Sequence, residues 1–217
     1  MPQLLPPTFL FRYSFPVKYE SSLPRRGEKL VGLSSEYALP ELGSLDGRQR
    51  ITEIRSAWNE RGLALAVSAR DSKKRPSRLP PRTDDWQFQV WIDTRCTQNV
   101  HRATRYCHQF GLLGNGGGVG GVKPTVRQLA IARAREDAPR CDLSKIQAAA
   151  QVSQKRFELE AWFPSTALHG FDPEANSRLG FYYQLSDVED GDQFLAMSKE
   201  FPFANDPSLW SILELAR

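Results

Sequence analysis

Long apolar runs are what this 217-residue sequence most plainly lacks: none approaches the roughly 18 residues that a membrane-spanning helix needs. Cysteine is nearly as scarce. Cys96, Cys107 and Cys141 are odd in number and none stands in a Cys-x-x-Cys pair, so neither a disulfide framework nor a zinc knuckle is expected. Reduced thiols in a cytoplasmic compartment are the expectation. The first 16 residues carry prolines at positions 2, 6, 7 and 16 and no basic region leading into an apolar stretch, a pattern unlike a secretory leader. Catalytic signatures are missing as well, with no Gly-x-Ser-x-Gly elbow and no His-Glu-x-x-His helix. Nor is there a large charge excess: 29 basic against 25 acidic residues leave +4, too little to call for a nucleic-acid partner. The one dense basic run, Lys73, Lys74, Arg75, Arg78 and Arg82, has no interleaved aromatic on which a base could stack, and reads as a solvated loop.

What is present is β-periodicity. Hydrophobic residues at 40% and charged residues at 25% are ordinary for a globular chain, and one domain is the default at this length. The proline-rich residues 1–45 read as an extended segment packed on the domain, and residues 46–217 as the domain itself. Strands are expected over 52–57 and 63–69, joined by a turn containing Asn59 and Gly62. The sharpest strand is 86–93, where Trp86, Phe88, Val90 and Ile92 alternate with Gln87, Gln89, Trp91 and Asp93. Further strands are expected over 102–113, 146–153, 156–163, 179–187 and 210–215, while 126–136 suits either a strand or a helix. The glycine-rich stretch 114–121, GNGGGVGG, reads as a flexible loop. Many short strands without repeated strand-helix units imply an all-β fold, an antiparallel β-sandwich of the immunoglobulin or jelly-roll type with long loops.

The ordered set Glu53-Ile54-Arg55-Ser56-Ala57-Trp58, Gly62 to Val67, Gln89-Val90-Trp91-Ile92-Asp93, Glu158-Leu159-Glu160-Ala161-Trp162-Phe163-Pro164, Leu179-Gly180-Phe181 through Gln184 to Asp187, and Asp206-Pro207-Ser208 resembles the family 9 carbohydrate-binding modules and the related DOMON-like sandwiches. The resemblance implies a non-catalytic module that holds a sugar between two tryptophans and hydrogen-bonds it from polar side chains. Gln184 stands where the family has glutamine, and Gln89 where it has glutamate. Thr83 and Ala204 stand at the two tryptophan positions, so the aromatic clamp is missing.

From strand alternation alone, Gln89 and Trp91 share one face and Tyr182 and Gln184 share another. If those faces coincide, two amides and two aromatics form a surface suited to hydroxyl-rich ligands. The candidate ligand-binding set is therefore Gln89, Trp91, His108, Tyr182 and Gln184. In the competing arrangement Trp91 and Tyr182 pack beneath the long loops with the glutamines at the rim. A saccharide ligand is the leading expectation, a structural or protein-interaction sandwich the second, and a haem-binding DOMON-like module, with Met197 and His101, His108 or His169, the third.

Other constellations carry less chemistry. Glu158 and Glu160 lie on one strand face and cannot flank a glycosidic bond from opposite sides. Gly116-x-Gly118-x-x-Gly121 matches a dinucleotide fingerprint only formally, since no strand-turn-helix unit surrounds it and Lys123 is followed by proline. Cys96, His101, Cys107 and His108 include metal-ligand types, but alternation sends Cys107 and His108 to opposite faces. The acidic run 187–192 offers oxygens to calcium without the downstream glutamate of a full EF-hand loop.

Overall fold

A computed structural model describes residues 6–25, 30–48, 52–70, 88–121, 123–152, 156–187 and 191–217. Apart from a single helical turn, α1 (Pro7–Leu10), and short 3-10 turns, the regular structure of the described residues is β. The strands are β1 (Ser14–Tyr19), β2 (Glu53–Asn59), β3 (Gly62–Arg70), β4 (Phe88–Asp93), β5 (Cys107–Gly117), β6 (Lys123–Leu129), β7 (Gln147–Val152), β8 (Arg156–Pro164), β9 (Arg178–Asp187), β10 (Gly191–Phe194) and β11 (Ser211–Ala216). No helix of the described residues is long and apolar enough to cross a membrane.

All eleven strands belong to one mixed sheet in the order β6-β5-β4-β9-β11-β1-β2-β3-β8-β7, with β10 added to β9. Antiparallel pairing joins β6 through β11 and again β2 through β7. Between these halves lies β1, a strand that sequence periodicity did not reveal. It runs parallel to both neighbours, with Phe15 opposite Leu213 and Lys18 opposite Ala57. The expected all-β fold is thus observed as one continuous mixed sheet that curls almost into a barrel, its end strands β6 and β7 coming together. Phe110 of β5 and Phe163 of β8, from opposite halves, meet across the interior with ring centroids 4.9 Å apart.

Local sequence explains the strands. Phe88, Val90 and Ile92 project inward and are essentially inaccessible. At roughly 1.5–3 kcal/mol each, these three side chains anchor β4. Trp86 and Gln87, placed by periodicity at the head of this strand, lie outside the described residues. The β2-β3 turn is closed by Asn59, whose Oδ1 accepts from the Arg61 N–H at 2.9 Å. Gly62 is required after it, because a Cβ there would stand 2.1 Å from the Phe163 carbonyl oxygen of β8. On β8, Phe157, Leu159, Ala161 and Phe163 are buried in the main core, as alternation predicts.

Two expectations are corrected at β5. The strand begins at Cys107 rather than residue 102, because Asp93 ends β4 by accepting the N–H groups of Arg95 at 2.9 Å and Thr97 at 2.6 Å, which turns the chain. Its far end continues through Gly117 into the stretch read as a flexible loop, with a bulge between Leu113 and Gly117. Gly116 has φ of 92°, a conformation that glycine adopts at a bulge without Cβ strain. Beyond that bulge, β6 resolves the helix-or-strand ambiguity at 126–136 as a strand ending at Leu129.

Residues 20–25 and 30–37 cover the outer face of β2, β3 and β8, where Ala57, Ala64 and Ala66 leave room for Leu23, Val31 and Leu33 to pack against Trp162. Glu160 fixes this covering. Its carboxylate accepts the backbone N–H groups of Leu30 at 2.9 Å, Val31 at 3.3 Å and Gly32 at 2.9 Å.

Candidate functional site

Register decides which candidate residues meet. Gln89 of β4 pairs with Gln184 of β9, and Trp91 pairs with Tyr182, so the two faces inferred from alternation coincide. On the other side of β4, Trp91 pairs with Gln109 of β5, which brings a third glutamine to the same face. The Gln109 amide donates to Gln89 Oε1 at 3.0 Å, and the Gln184 amide donates to Ser186 Oγ at 3.2 Å. All three glutamines are half-buried. Among the described residues the Gln89 amide nitrogen and the carbonyl oxygens of Gln109 and Gln184 have no protein partner, leaving one donor group and two acceptors at the surface.

The two aromatics of this face lie beneath the chain. Phe203 stacks on Tyr182 with centroids 4.4 Å apart and meets Trp91 edge-on at 5.4 Å. Phe203 is held there by its carbonyl, which accepts from Trp210 Nε1 at 2.7 Å. Tyr182 donates its hydroxyl to the Met197 carbonyl, and burial raises its pKa. Trp91 is 1% exposed, and its Nε1 is buried without a hydrogen-bond partner. An orphaned buried donor of this kind costs roughly 1–3 kcal/mol. Ala204, at the second tryptophan position of the resemblance, follows Phe203 and is half-buried; Thr83, at the first, lies outside the described residues.

His108 does not join the group. Its register places it opposite Ile92 on the inward face, where its ring lies parallel to Phe110 at 6.1 Å. Nε2 faces the His169 carbonyl at 3.2 Å, while Nδ1 is buried without a partner. Desolvation pushes its pKa down to about 4, so the ring is neutral at physiological pH.

The remaining constellations are separated. Glu160 is engaged by backbone N–H groups rather than facing a substrate beside Glu158. Burial, with Asp93 nearby, pushes the Cys107 thiol up to about 12, which keeps it protonated. His101 is exposed and held by Asp206 at 3.0 Å and Ser208 at 3.1 Å. Among the described residues no three His, Cys, Asp or Glu side chains gather as a metal site. Haem does not fit: Met197 lines a groove of about 390 Å³ that includes none of the three histidines, and His169 stacks on Tyr106 at 5.3 Å. Of the acidic run, residues 188–190 lie outside the described residues, and Asp192 is near Lys199 Nζ at 3.9 Å. The basic run from Lys73 to Arg82 also lies outside them.

Sequence reading missed two residues. Gln109 could have been found from strand alternation once β5 was paired with β4. Phe203 carried no signal, because it sits in an irregular loop whose path depends on tertiary packing.

No protein-family model matches the sequence, and comparison with the curated proteins gives no match. Solved structures do match. A family 9 carbohydrate-binding module from Caldicellulosiruptor kristjanssonii in complex with cellotriose superposes with a TM-score of 0.60 at 12% identity, covering 93% of each chain. A module of that family and organism in complex with glucose gives 0.61 at 13% identity, covering 94% of this chain and 95% of the other. A Bacteroides uniformis protein provisionally described as carbohydrate-binding gives 0.58 at 14% identity, with 95% and 100% covered. Across nearly its whole length, the chain has the fold of the family 9 carbohydrate-binding modules.

Proposed function

We propose that this chain is a non-catalytic binding module for a saccharide or another hydroxyl-rich ligand, held on the outer face of β4, β5 and β9. In this reading the curled sheet serves as the two walls of a sandwich, and the ligand lies against one of them. The observation that carries the reading is the cluster of Gln89, Gln109 and Gln184, whose unengaged amide groups offer both donors and acceptors. Sugar hydroxyls donate and accept at once, so a mixed amide surface complements them better than a cluster of one charge. Trp91 and Tyr182 form the floor beneath the amides. They give rigidity rather than a stacking surface, since Phe203 already covers them. The solved structures with cellotriose and glucose add support at the level of fold.

Titration calorimetry with a panel of oligosaccharides tests the reading, comparing the unmodified chain with a Gln89→Ala, Gln184→Ala double variant. Each lost hydrogen bond removes about 0.5–1.5 kcal/mol, so the double variant should bind roughly tenfold or more weakly while keeping its thermal midpoint. Failure of the unmodified chain to bind any saccharide at millimolar concentration would overturn the reading.

A protein-interaction module is the second reading. It is favoured by the exposed Phe9, Leu10 and Phe11 beside the groove, with Phe9 stacked on Phe201 at 4.7 Å. Co-sedimentation of this chain with insoluble polysaccharide, unaffected by substituting Phe9 and Phe11 with serine, separates the two.

A further inference from the structure

A carboxamide has a donor end and an acceptor end, and the end it shows a ligand depends on what engages the other. On β5 the residue opposite Gln89 is Gly111, which leaves room for the diagonal neighbour Gln109 to lean across. Gln109 Nε2 donates to Gln89 Oε1 at 3.0 Å. That bond engages the Gln89 carbonyl within the cluster and leaves its amide nitrogen as the open end. Gln109, whose nitrogen is the engaged end, keeps its carbonyl oxygen open. Gln184 is held the same way round as Gln109. Its Nε2 donates to Ser186 Oγ at 3.2 Å, two residues on and on the same strand face, so its carbonyl oxygen is the open end.

Gln89 lies between the other two, because β4 is the strand between β5 and β9. Gln89 and Gln184 stand directly opposite each other, which places their Cβ atoms about 4.5–5.5 Å apart. Across the face the open ends therefore run acceptor, donor, acceptor. We infer, on the basis of the saccharide reading above, that the ligand of this face is a neutral polyol with three adjacent oxygens. The outer two donate to the carbonyls of Gln109 and Gln184, the middle one accepts from the Gln89 amide, and Gln109 is the positioning residue that sets this order. Three hydroxyls in a run on one sugar ring meet the requirement, since each has a proton to give and lone pairs that accept. An ionised carboxylate or sulfate does not, having no proton for either carbonyl.

The test is titration of the full chain with D-glucose, D-galactose and D-mannose, and then with the single deoxy and deoxyfluoro analogues of whichever binds most tightly. Deleting a contacted hydroxyl should weaken binding roughly fivefold or more at three adjacent ring positions, because each deletion leaves an amide end without its partner. Fluorine accepts weakly and cannot donate, so it should recover part of the loss at the middle position and none at the outer two. Gln109→Glu puts a carboxylate where the donor was; it accepts from the Gln89 nitrogen and turns the Gln89 carbonyl outward. The parent hexose should still bind this variant within about fivefold, since its middle hydroxyl can donate instead, while the recovery by fluorine at that position disappears. A merely structural role for Gln109 would weaken every analogue alike. Recovery by fluorine at an outer position, recovery at none, or recovery that survives Gln109→Glu overturns the inference and leaves the saccharide reading standing. If none of the hexoses binds, the inference falls, and the oligosaccharide panel decides the saccharide reading independently.

Discussion

Phe203 lies flat on Tyr182, ring centroids 4.4 Å apart, and closes over the aromatic half of the face whose other half is amide. This contact divides the candidate site: Gln89 and Gln184 remain at the surface, while Trp91 and Tyr182 become its support. Removing the ring leaves a cavity bounded by Tyr182, Trp91 and Phe194, all of which contact it. Phe203→Ala should therefore lower stability by roughly 3–5 kcal/mol, read as a shift of the urea midpoint at unchanged slope.

Much of the sheet could be read from the sequence because alternation is a local property. Phe88, Val90 and Ile92 on β4 and Phe157 to Phe163 on β8 announce their inward faces without reference to anything distant. Pairing is not local, and strand alternation carries no record of it. β1 has the short burial alternation of Phe15 and Val17, but its partners are β2 and β11, the latter nearly two hundred residues away. The end of β4 depends on what the Asp93 carboxylate binds, and the glycine-rich end of β5 becomes a strand only because β6 is there to pair with it. At the site, alternation placed Gln89 with Trp91 and Tyr182 with Gln184, whereas their meeting, the arrival of Gln109 and the covering by Phe203 required the folded chain.

Glu160 shows how a strand carboxylate acts when chain covers it. It takes three consecutive backbone N–H groups, and no neutral side chain can accept them all equally well. Glu160→Gln replaces one acceptor oxygen by a donor that faces an N–H. The expected cost is roughly 1–3 kcal/mol, concentrated in the covering segment. Hydrogen exchange should report faster exchange at Leu30, Val31 and Gly32, with protection of the β4 amides retained.

His108 supplies a pH dependence of definite sign. Its folded-state pKa is depressed from 6.5 to about 4 by burial, so the native state resists the proton that the unfolded chain accepts. The stabilisation is complete above pH ~6.5, and it is lost progressively as the pH falls towards the folded value, where the native ring also protonates. At about 1.4 kcal/mol for each pH step between the unfolded and folded values, the loss across that window is roughly 3 kcal/mol. His108→Gln keeps a donor for the His169 carbonyl and removes the titration. Urea midpoints measured at pH 7, 5.5 and 4.5 should fall less steeply in this variant than in the unmodified chain. Parallel slopes in the two proteins would assign the acid sensitivity to groups other than this buried ring.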